Sequence, residues 1–405
     1  MYKPYGIIPP IITPFDEEGK VNYDSLAKMS VYLVENGVHG LFPFGTTGEF
    51  YAVSDEEYVK ALETVRDAVK GMTNCYGKPI QLMAGCSHIT TRGVIRLIHL
   101  VEQVGGYDAV SVLTPMFVSQ TQDELYQYYK TIAESTKMPV LMYNNKPKTN
   151  VTIAPATVAR LAKDCPNIIG VKDSTGDMTN CEEYLRLTAD QRDHFNVMMG
   201  RDTMIHAALA YGCSGAVASC ANVAPRVVAD IYDKYVAGDL AGSLEAQYRL
   251  APLRIATNMG TFPEVIKESL NLLGIPVGKC LDPIQELKPE EKEKRRAETE
   301  EEIRELTRKA FAQPQIKDWY SGTWQLFNEC DIIWQENGEL RNRRPDRVMM
   351  RDGAIVVVDF KFGKPNKKYN KQVQGYMELL VRMGYDANAI SGYLWYVEEE
   401  IIEKV

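Results

Sequence analysis

The sequence predicts an α/β chain: a closed (β/α)8 TIM barrel with a C-terminal helical extension, followed by a small α/β unit. Two observations point to the barrel. Eight short apolar runs alternate with amphipathic stretches between residues 6 and 223, and strands buried on both faces read as continuous apolar runs. A doubly wound open sheet would not need eight units, and no GxGxxG turn follows the first run. A third observation sets the tail apart. All four tryptophans (Trp319, Trp324, Trp334, Trp395) lie in the last 90 residues, whereas all five histidines precede residue 207.

The predicted strands are Gly6–Phe15, Gly40–Thr47, Pro79–Cys86, Ala109–Met116, Pro139–Asn145, Ile168–Thr175, Phe195–Asp202 and Gly212–Val223. Predicted helices cover Tyr23–Asn36, Asp55–Val69, Thr91–Gly105, Gln122–Thr136, Ala154–Asp164 and Thr203–Tyr211. Ser54 followed by Glu57 is a capping-box pattern, in which side chain and backbone satisfy each other's free groups at a helix start. Helical patterns at Arg226–Ala237, Leu240–Met259 and Pro263–Leu273 form the extension. Pro289–Lys309, dense in both charge signs, reads as a solvated helix laced with i,i+4 pairs. In the tail, Cys330–Glu336, Arg347–Arg351, Ala354–Phe362 and Ser391–Glu398 read as strands. Asp352-Gly353 turns between two of them, and Tyr369–Met383 reads as a helix. The domains are thus expected at 1–225, 226–312 and 319–405, with a junction at 313–318.

Composition excludes several classes. The 405 residues are 45% hydrophobic and 25% charged, ordinary for a globular chain. No apolar run approaches the ~20 residues that span a bilayer, and no signal-peptide pattern follows Met1. Eight cysteines without a CxxC pair suggest neither a zinc ribbon nor a disulfide framework, so a cytoplasmic chain is expected. The net charge of −8 offers nucleic acid no global attraction; the first 315 residues carry −7 of it and the tail −1.

In such barrels the chemistry sits where strands end. The second strand ends in Gly45-Thr46-Thr47-Gly48-Glu49, two hydroxyls and several backbone N–H groups able to hold a small carboxylate. The fifth ends in Tyr143-Asn144-Asn145, and the sixth carries Lys172. An inward lysine is desolvated, its amine pKa falls, and the neutral amine can attack a ketone carbonyl. Tyr143 could pass the protons. The bland alternative is that Lys172 pairs with its neighbour Asp173.

Residues 1–310 resemble the dihydrodipicolinate synthase / N-acetylneuraminate lyase family of pyruvate-handling barrels. The resemblance rests on GTTGE at 45–49, TP at 114–115, YN at 143–144, IIGVKDSTG at 168–176, GRD at 200–202 and GAVASCANVAP at 215–225. It implies Lys172 as the Schiff-base lysine, Tyr143 as proton shuttle, and Thr46, Thr47 and Gly48 around the 2-oxo acid carboxylate, with Thr47 also relaying protons. It further implies Gly200 and Val217 as pocket lining, no cofactor beyond the covalent lysine, an aldehyde as second substrate, and a homotetramer built as a dimer of dimers. Two positions depart from the synthases. Phe117 stands where a tyrosine reaches the neighbouring subunit's site, and a phenyl ring passes no proton. Lys148 replaces an arginine that clamps substrate carboxylate, losing the bidentate fork. Both point from 4-hydroxy-tetrahydrodipicolinate synthesis toward a pyruvate-releasing aldolase or sugar-acid lyase.

The tail carries a second pattern: Pro345-Asp346, then Asp359-Phe360-Lys361, then Gln372 and Tyr376 in QxxxY spacing. Two carboxylates on adjacent strands can share a hard cation such as Mg²⁺, and a lysine two residues on shares the strand face. Residues 316–405 resemble the PD-(D/E)xK nuclease core of helicase–nuclease proteins, a restriction-endonuclease-like fold. The resemblance implies Asp346 and Asp359 as Mg²⁺ ligands, Lys361 as catalytic, Gln372 and Tyr376 in support, and Glu329 as a further acid. Nucleic acid would be a partner only through this unit. The chain reads as two units of different origin joined near 313–315. A barrel serving as scaffold for the nuclease, or one that binds a 2-oxo acid without turnover, are the competing readings.

Overall fold

The computed structural model describes residues 2–258, 260–287, 314–328, 330, 332–336, 339–361, 368–396 and 401–405. The chain divides into two compact units, Met1–Leu287 and Lys288–Val405. The charged segment 289–309, Glu329 and the far end of the predicted strand at 397–398 lie outside the described residues.

The first unit is an eight-stranded parallel sheet ordered β1-β8-β7-β6-β5-β4-β3-β2. Its strands are β1 (Gly6–Ile7), β2 (Gly40–Leu41), β3 (Gln81–Gly85), β4 (Ala109–Leu113), β5 (Val140–Asn144), β6 (Ile168–Asp173), β7 (Asn196–Met199) and β8 (Gly215–Ala216). A parallel bridge between Pro10 and Phe42 closes β1 against β2. Each strand lies inside a predicted apolar run, but the ladders are shorter. Proline explains the first: Pro9, Pro10 and Pro14 have no N–H to donate. The predicted strand Gly212–Val223 keeps two ladder residues and then turns into a 3-10 segment at Ser219–Asn222.

Helices α1 (Tyr23–Glu35), α2 (Asp55–Ala68), α3 (Thr91–Val104) and α4 (Gln122–Glu134) follow the predicted stretches closely. A short α5 (Lys146–Thr149) precedes α6 (Pro155–Asp164), α7 (Met178–Leu187) and α8 (Ile205–Tyr211). The capping box at Ser54 forms, and Thr121 with Glu124 makes another on α4. Helix α7 went unpredicted because MTNCEEYLRL buries only Cys181, Tyr184 and Leu185, too few apolar positions to show a stripe. The extension follows as α9 (Pro225–Val236), α10 (Leu240–Ala256) and α11 (Glu264–Leu272).

Two apolar cores result. The larger packs helices onto the outside of the sheet. The smaller plugs the barrel interior with one residue from or beside each strand: Ile8, Phe42, Met83, Ala109, Leu141, Ile169, Met198 and Val217. This is the layered filling that makes such a barrel a packed core rather than a pore.

The second unit holds a five-stranded mixed sheet ordered β15-β14-β13-β12-β9: β9 (Gln325–Asn328), β12 (Arg347–Arg351), β13 (Ala354–Lys361), β14 (Ile390–Tyr396) and β15 (Ile401–Lys404). A separate hairpin pairs β10 (Ile332–Glu336) with β11 (Glu339–Arg343). Helices α12 (Pro314–Trp319) and α13 (Lys368–Arg382) complete it, the latter linking the parallel pair β13 and β14. Asp352 and Gly353 both take positive φ between β12 and β13, as a two-residue hairpin turn requires. Trp319 and Trp395 sit in one of its apolar clusters. Strands β9, β11 and β15 went unpredicted; Gln325, Leu326 and Asn328 are exposed, so no alternation marks that strand.

Among the described residues no helix is long and apolar enough to cross a membrane, and all eight cysteines are free.

Candidate active site

Lys172 and Tyr143 are register partners on neighbouring strands. A β-bulge makes this pairing work. Val140 pairs with Ile168 but Leu141 pairs with Gly170, so β6 carries one extra residue there. Side chains alternate along a strand, and the extra residue shifts that alternation by one. Ile169 therefore fills the interior plug while Lys172, three residues on, also faces inward. Gly170 is required at the bulge, because a Cβ there would lie 2.1 Å from the backbone oxygen of Asn196.

The Lys172 ammonium is buried, with Nζ 3.7 Å from the Tyr143 ring centroid and 5.2 Å from that of Phe42. Burial lowers its pKa below the ordinary lysine value, against the opposing pull of Tyr143 and Asp202. Burial would push the Tyr143 phenol up. The charge of Lys172 and hydrogen bonding with Thr46, Lys172 and Ser174 outweigh it, and the phenol lies below its ordinary value. Both groups thus give up their protons more readily than they would free in water. Asn145 Nδ2 donates to the Tyr143 hydroxyl at 2.8 Å, and Thr46 Oγ1 lies 3.4 Å from it.

The bland reading of Lys172 fails. Asp173 is occupied elsewhere, accepting from Asn144 Nδ2 at 3.2 Å, Thr175 N at 3.2 Å and Thr175 Oγ1 at 3.0 Å. Among the described residues it makes no ion pair with Lys172.

Beyond β2, Thr46–Gly48 form one 3-10 turn. Gly48 has no room for a side chain: a Cβ would meet the Ile11 oxygen at 2.7 Å. Its carbonyl accepts from Thr13 Oγ1 at 2.6 Å. Gly200 is equally constrained, with Ser174 Oγ 1.9 Å from where its Cβ would stand. Thr46, Thr47, Tyr143, Lys148, Lys172, Gly200 and Val217 together line one cavity of about 330 Å³. Gly48, the remaining residue expected around the carboxylate, is absent from that wall and shapes the turn beneath.

Asn145, Ser174, Arg201, Asp202, Arg254 and Asn258 also line the cavity and were given no role from the sequence. Asp202 is committed, accepting from Ser219 Oγ and Cys220 N at 3.0 Å each. Arg201 lies inside the GRD motif and could have been noticed. Arg254 and Asn258 come from the extension, and no local spacing brings them to the barrel mouth. Phe117 stands outside this cavity, 94% exposed, with φ 79.

In the second unit, Asp359 and Lys361 of β13 form an ion pair, and Asp346 Oδ2 accepts from Phe360 N at 2.6 Å. Burial raises the Asp359 pKa, and the nearby Asp346 carboxylate adds to the rise against the pull of Lys361. Gln372 Nε2 donates to Tyr376 OH at 2.7 Å, and that hydroxyl donates to the Arg344 oxygen at 3.1 Å.

A profile of the dihydrodipicolinate synthetase family matches residues 3–302. A 4-hydroxy-tetrahydrodipicolinate synthase of Desulforamulus reducens is 33% identical over 280 residues, 69% of this chain and 91% of its own. That of Archaeoglobus fulgidus is 32% identical over 289 residues, 71% and 95% respectively. Among solved structures, dihydrodipicolinate synthase from Thermotoga maritima matches with a TM-score of 0.68 at 30% identity, covering 74% of this chain and 99% of that one. YagE, a prophage protein of this family from E. coli K12 solved in complex with pyruvate, matches with a TM-score of 0.67 at 28% identity, covering 73% and 98%.

Proposed function

The chain belongs to the dihydrodipicolinate synthetase family, and from that premise we propose that its barrel is a class I, Schiff-base carbon–carbon lyase or aldolase acting on pyruvate or a related 2-oxo acid through Lys172. The observation that carries the assignment of Lys172 is its buried, desolvated amine against the Tyr143 ring at 3.7 Å. The neutral amine adds to the C2 carbonyl while Tyr143 protonates the oxygen. A second proton releases it as water, leaving an iminium on Nζ. The iminium accepts the electrons of the breaking C–C bond in cleavage; in condensation its enamine attacks an aldehyde. No metal takes part. Thr46, Thr47 and Gly48 hold the substrate carboxylate, with Thr47 relaying protons, and Gly200 and Val217 line the pocket. Borohydride reduction in the presence of pyruvate should add a stable mass at Lys172; no adduct under conditions that label a known relative sinks the proposal.

The second substrate, or the distal end of a cleaved one, is an aldehyde carrying an anionic group. Lys148, Arg201 and Arg254 line the same cavity against a single acid, Asp202, which is already satisfied by two donors. The relatives from Desulforamulus reducens, Archaeoglobus fulgidus and Thermotoga maritima are synthases, but Phe117 and Lys148 disfavour that condensation here. A pyruvate-release screen over 2-keto-3-deoxy sugar acids, N-acetylneuraminate and 4-hydroxy-2-oxo acids decides, run beside condensation with aspartate semialdehyde. Turnover by the condensation alone would make the chain a 4-hydroxy-tetrahydrodipicolinate synthase. The assembly proposed is a tetramer of tight dimers, consistent with a phenyl ring left exposed at Phe117, and the eight free cysteines suit the cytoplasm. Sedimentation analysis tests the assembly.

The domain limits proposed are 1–225 for the barrel, 226–312 for the extension, 313–318 for the junction and 319–405 for the tail. The tail is proposed as a restriction-endonuclease-like nuclease core. The juxtaposition of Asp346, Asp359 and Lys361 favours it, and two adjacent carboxylates suit a hard divalent ion. Asp346 and Asp359 would hold Mg²⁺, which would polarise a scissile phosphate, with Lys361 beside it and Gln372 and Tyr376 in support. Mg²⁺-dependent DNA cleavage lost on Asp359→Ala is the expected result; cleavage insensitive to EDTA rules the reading out.

A further inference from the structure

The mechanism leaves unused a pair of fully buried charges behind the carboxylate-binding turn. Glu49 ends that turn in the left-handed region, with φ 50. A non-glycine residue holds such a conformation only where its surroundings enforce it. Its carboxylate supplies the enforcement. Oε1 lies 2.7 Å from the Nζ of Lys267, and Oε2 accepts from Leu281 N at 3.1 Å. Both side chains are 0% exposed. Lys267 stands on α11 of the extension, donates also to the Lys279 oxygen at 2.9 Å, and lies 4.2 Å over the Phe15 ring. A second buried carboxylate, Glu264, is engaged nearby by Cys280 N at 2.9 Å.

Stability alone does not explain such a pair. Apolar residues of similar volume serve a core as well or better, because desolvating two charges offsets most of their attraction. What the pair provides is direction. On one side Thr13 fixes the turn through the Gly48 carbonyl; on the other, Glu49 ties it to the extension.

We propose that Lys267 and Glu49 are positioning residues: their buried ion pair holds the Thr46–Gly48 turn in the pose that receives the 2-oxo acid carboxylate, making α11 part of the substrate site. The proposal rests on the Schiff-base reading above. The full chain carrying Glu49→Gln with Lys267→Gln removes both charges and leaves none unpaired; Glu49→Gln alone keeps the shape and an acceptor for Lys267. Borohydride trapping is measured against pyruvate concentration, and hydrogen exchange is followed in the peptide spanning residues 45–53. Expected are faster exchange in that peptide and a half-saturating pyruvate concentration about tenfold higher, with the limiting adduct yield unchanged; the single variant moves the same way, less far. Wild-type half-saturation in either folded variant overturns the proposal, whether or not exchange accelerates. So does a fall in limiting yield at unchanged half-saturation, the sign of a merely structural role. Absence of any adduct in the wild type defeats the Schiff-base reading instead, and exchange in the peptide still reports on the tether.

Discussion

At the scale of single residues the site is a balance of burial against partnership. Lys172 is a base whose folded pKa lies below its unfolded value of about 10.5. The unfolded chain therefore holds the proton more tightly, so stability rises as pH climbs from the folded value toward 10.5 and is lower beneath it. Lys172→Met should remove that burden, raising Tm by a few degrees while abolishing the pyruvate adduct; thermal scans beside trapping check both. Tyr143→Phe should lower kcat by about 10²–10⁴-fold, the usual worth of a positioned acid–base group. It also removes the partner that raises the Lys172 pKa. The acid limb of the rate profile should then move to lower pH, and a limb that moved upward would contradict the coupling. Lys172, Tyr143 and the threonines were legible in the sequence because each sits at a strand end. Arg254 was not, since its place at the mouth depends on how the extension packs.

At the scale of elements, one bulge decides where the amine points. Strict alternation along IIGVKD would put Ile169 and Lys172 on opposite faces, and the bulge beside Gly170 brings them to the same one. Gly170→Ala should drive a Cβ into the Asn196 carbonyl and force β6 from β7. The expected cost is about 1–3 kcal/mol or more by denaturant titration, together with loss of the adduct; a stable variant that still traps pyruvate would show that the bulge is dispensable. Ser54→Ala makes a useful contrast. It removes the exposed cap of α2, whose side chain bonds only its own helix start, and should cost about 1 kcal/mol with kcat unchanged. The bulge could not be foreseen, because it arises from pairing between strands, whereas the cap is written in four consecutive residues. Helix α7 and strands β9 and β15 escaped for a related reason: their burial is too sparse to print a period on the sequence.

At the scale of the molecule, the chain divides into two units, each with apolar cores of its own. Every residue lining the barrel cavity, from Pro10 to Phe262, lies within Met1–Leu287, and so do Glu49, Lys267 and Leu281. The tail has apolar clusters of its own: one joins Ile316, Trp319, Met349 and Trp395, another Val357 with Tyr376, Leu379 and Ile390, and a third Val373, Leu394 and Tyr396. The tryptophan clustering that set the tail apart in the sequence thus has a packing basis. Since a unit with its own core can fold alone, deleting residues 313–405 should leave the pyruvate concentration dependence of trapping at Lys172 unchanged. Adding Mg²⁺ or EDTA to the full chain should leave it unchanged as well, because Asp346 and Asp359 lie outside the barrel unit. A truncated chain that folds by circular dichroism yet traps pyruvate only at much higher concentration would show that the tail completes the barrel site. Its role would then be part of the lyase rather than a second activity.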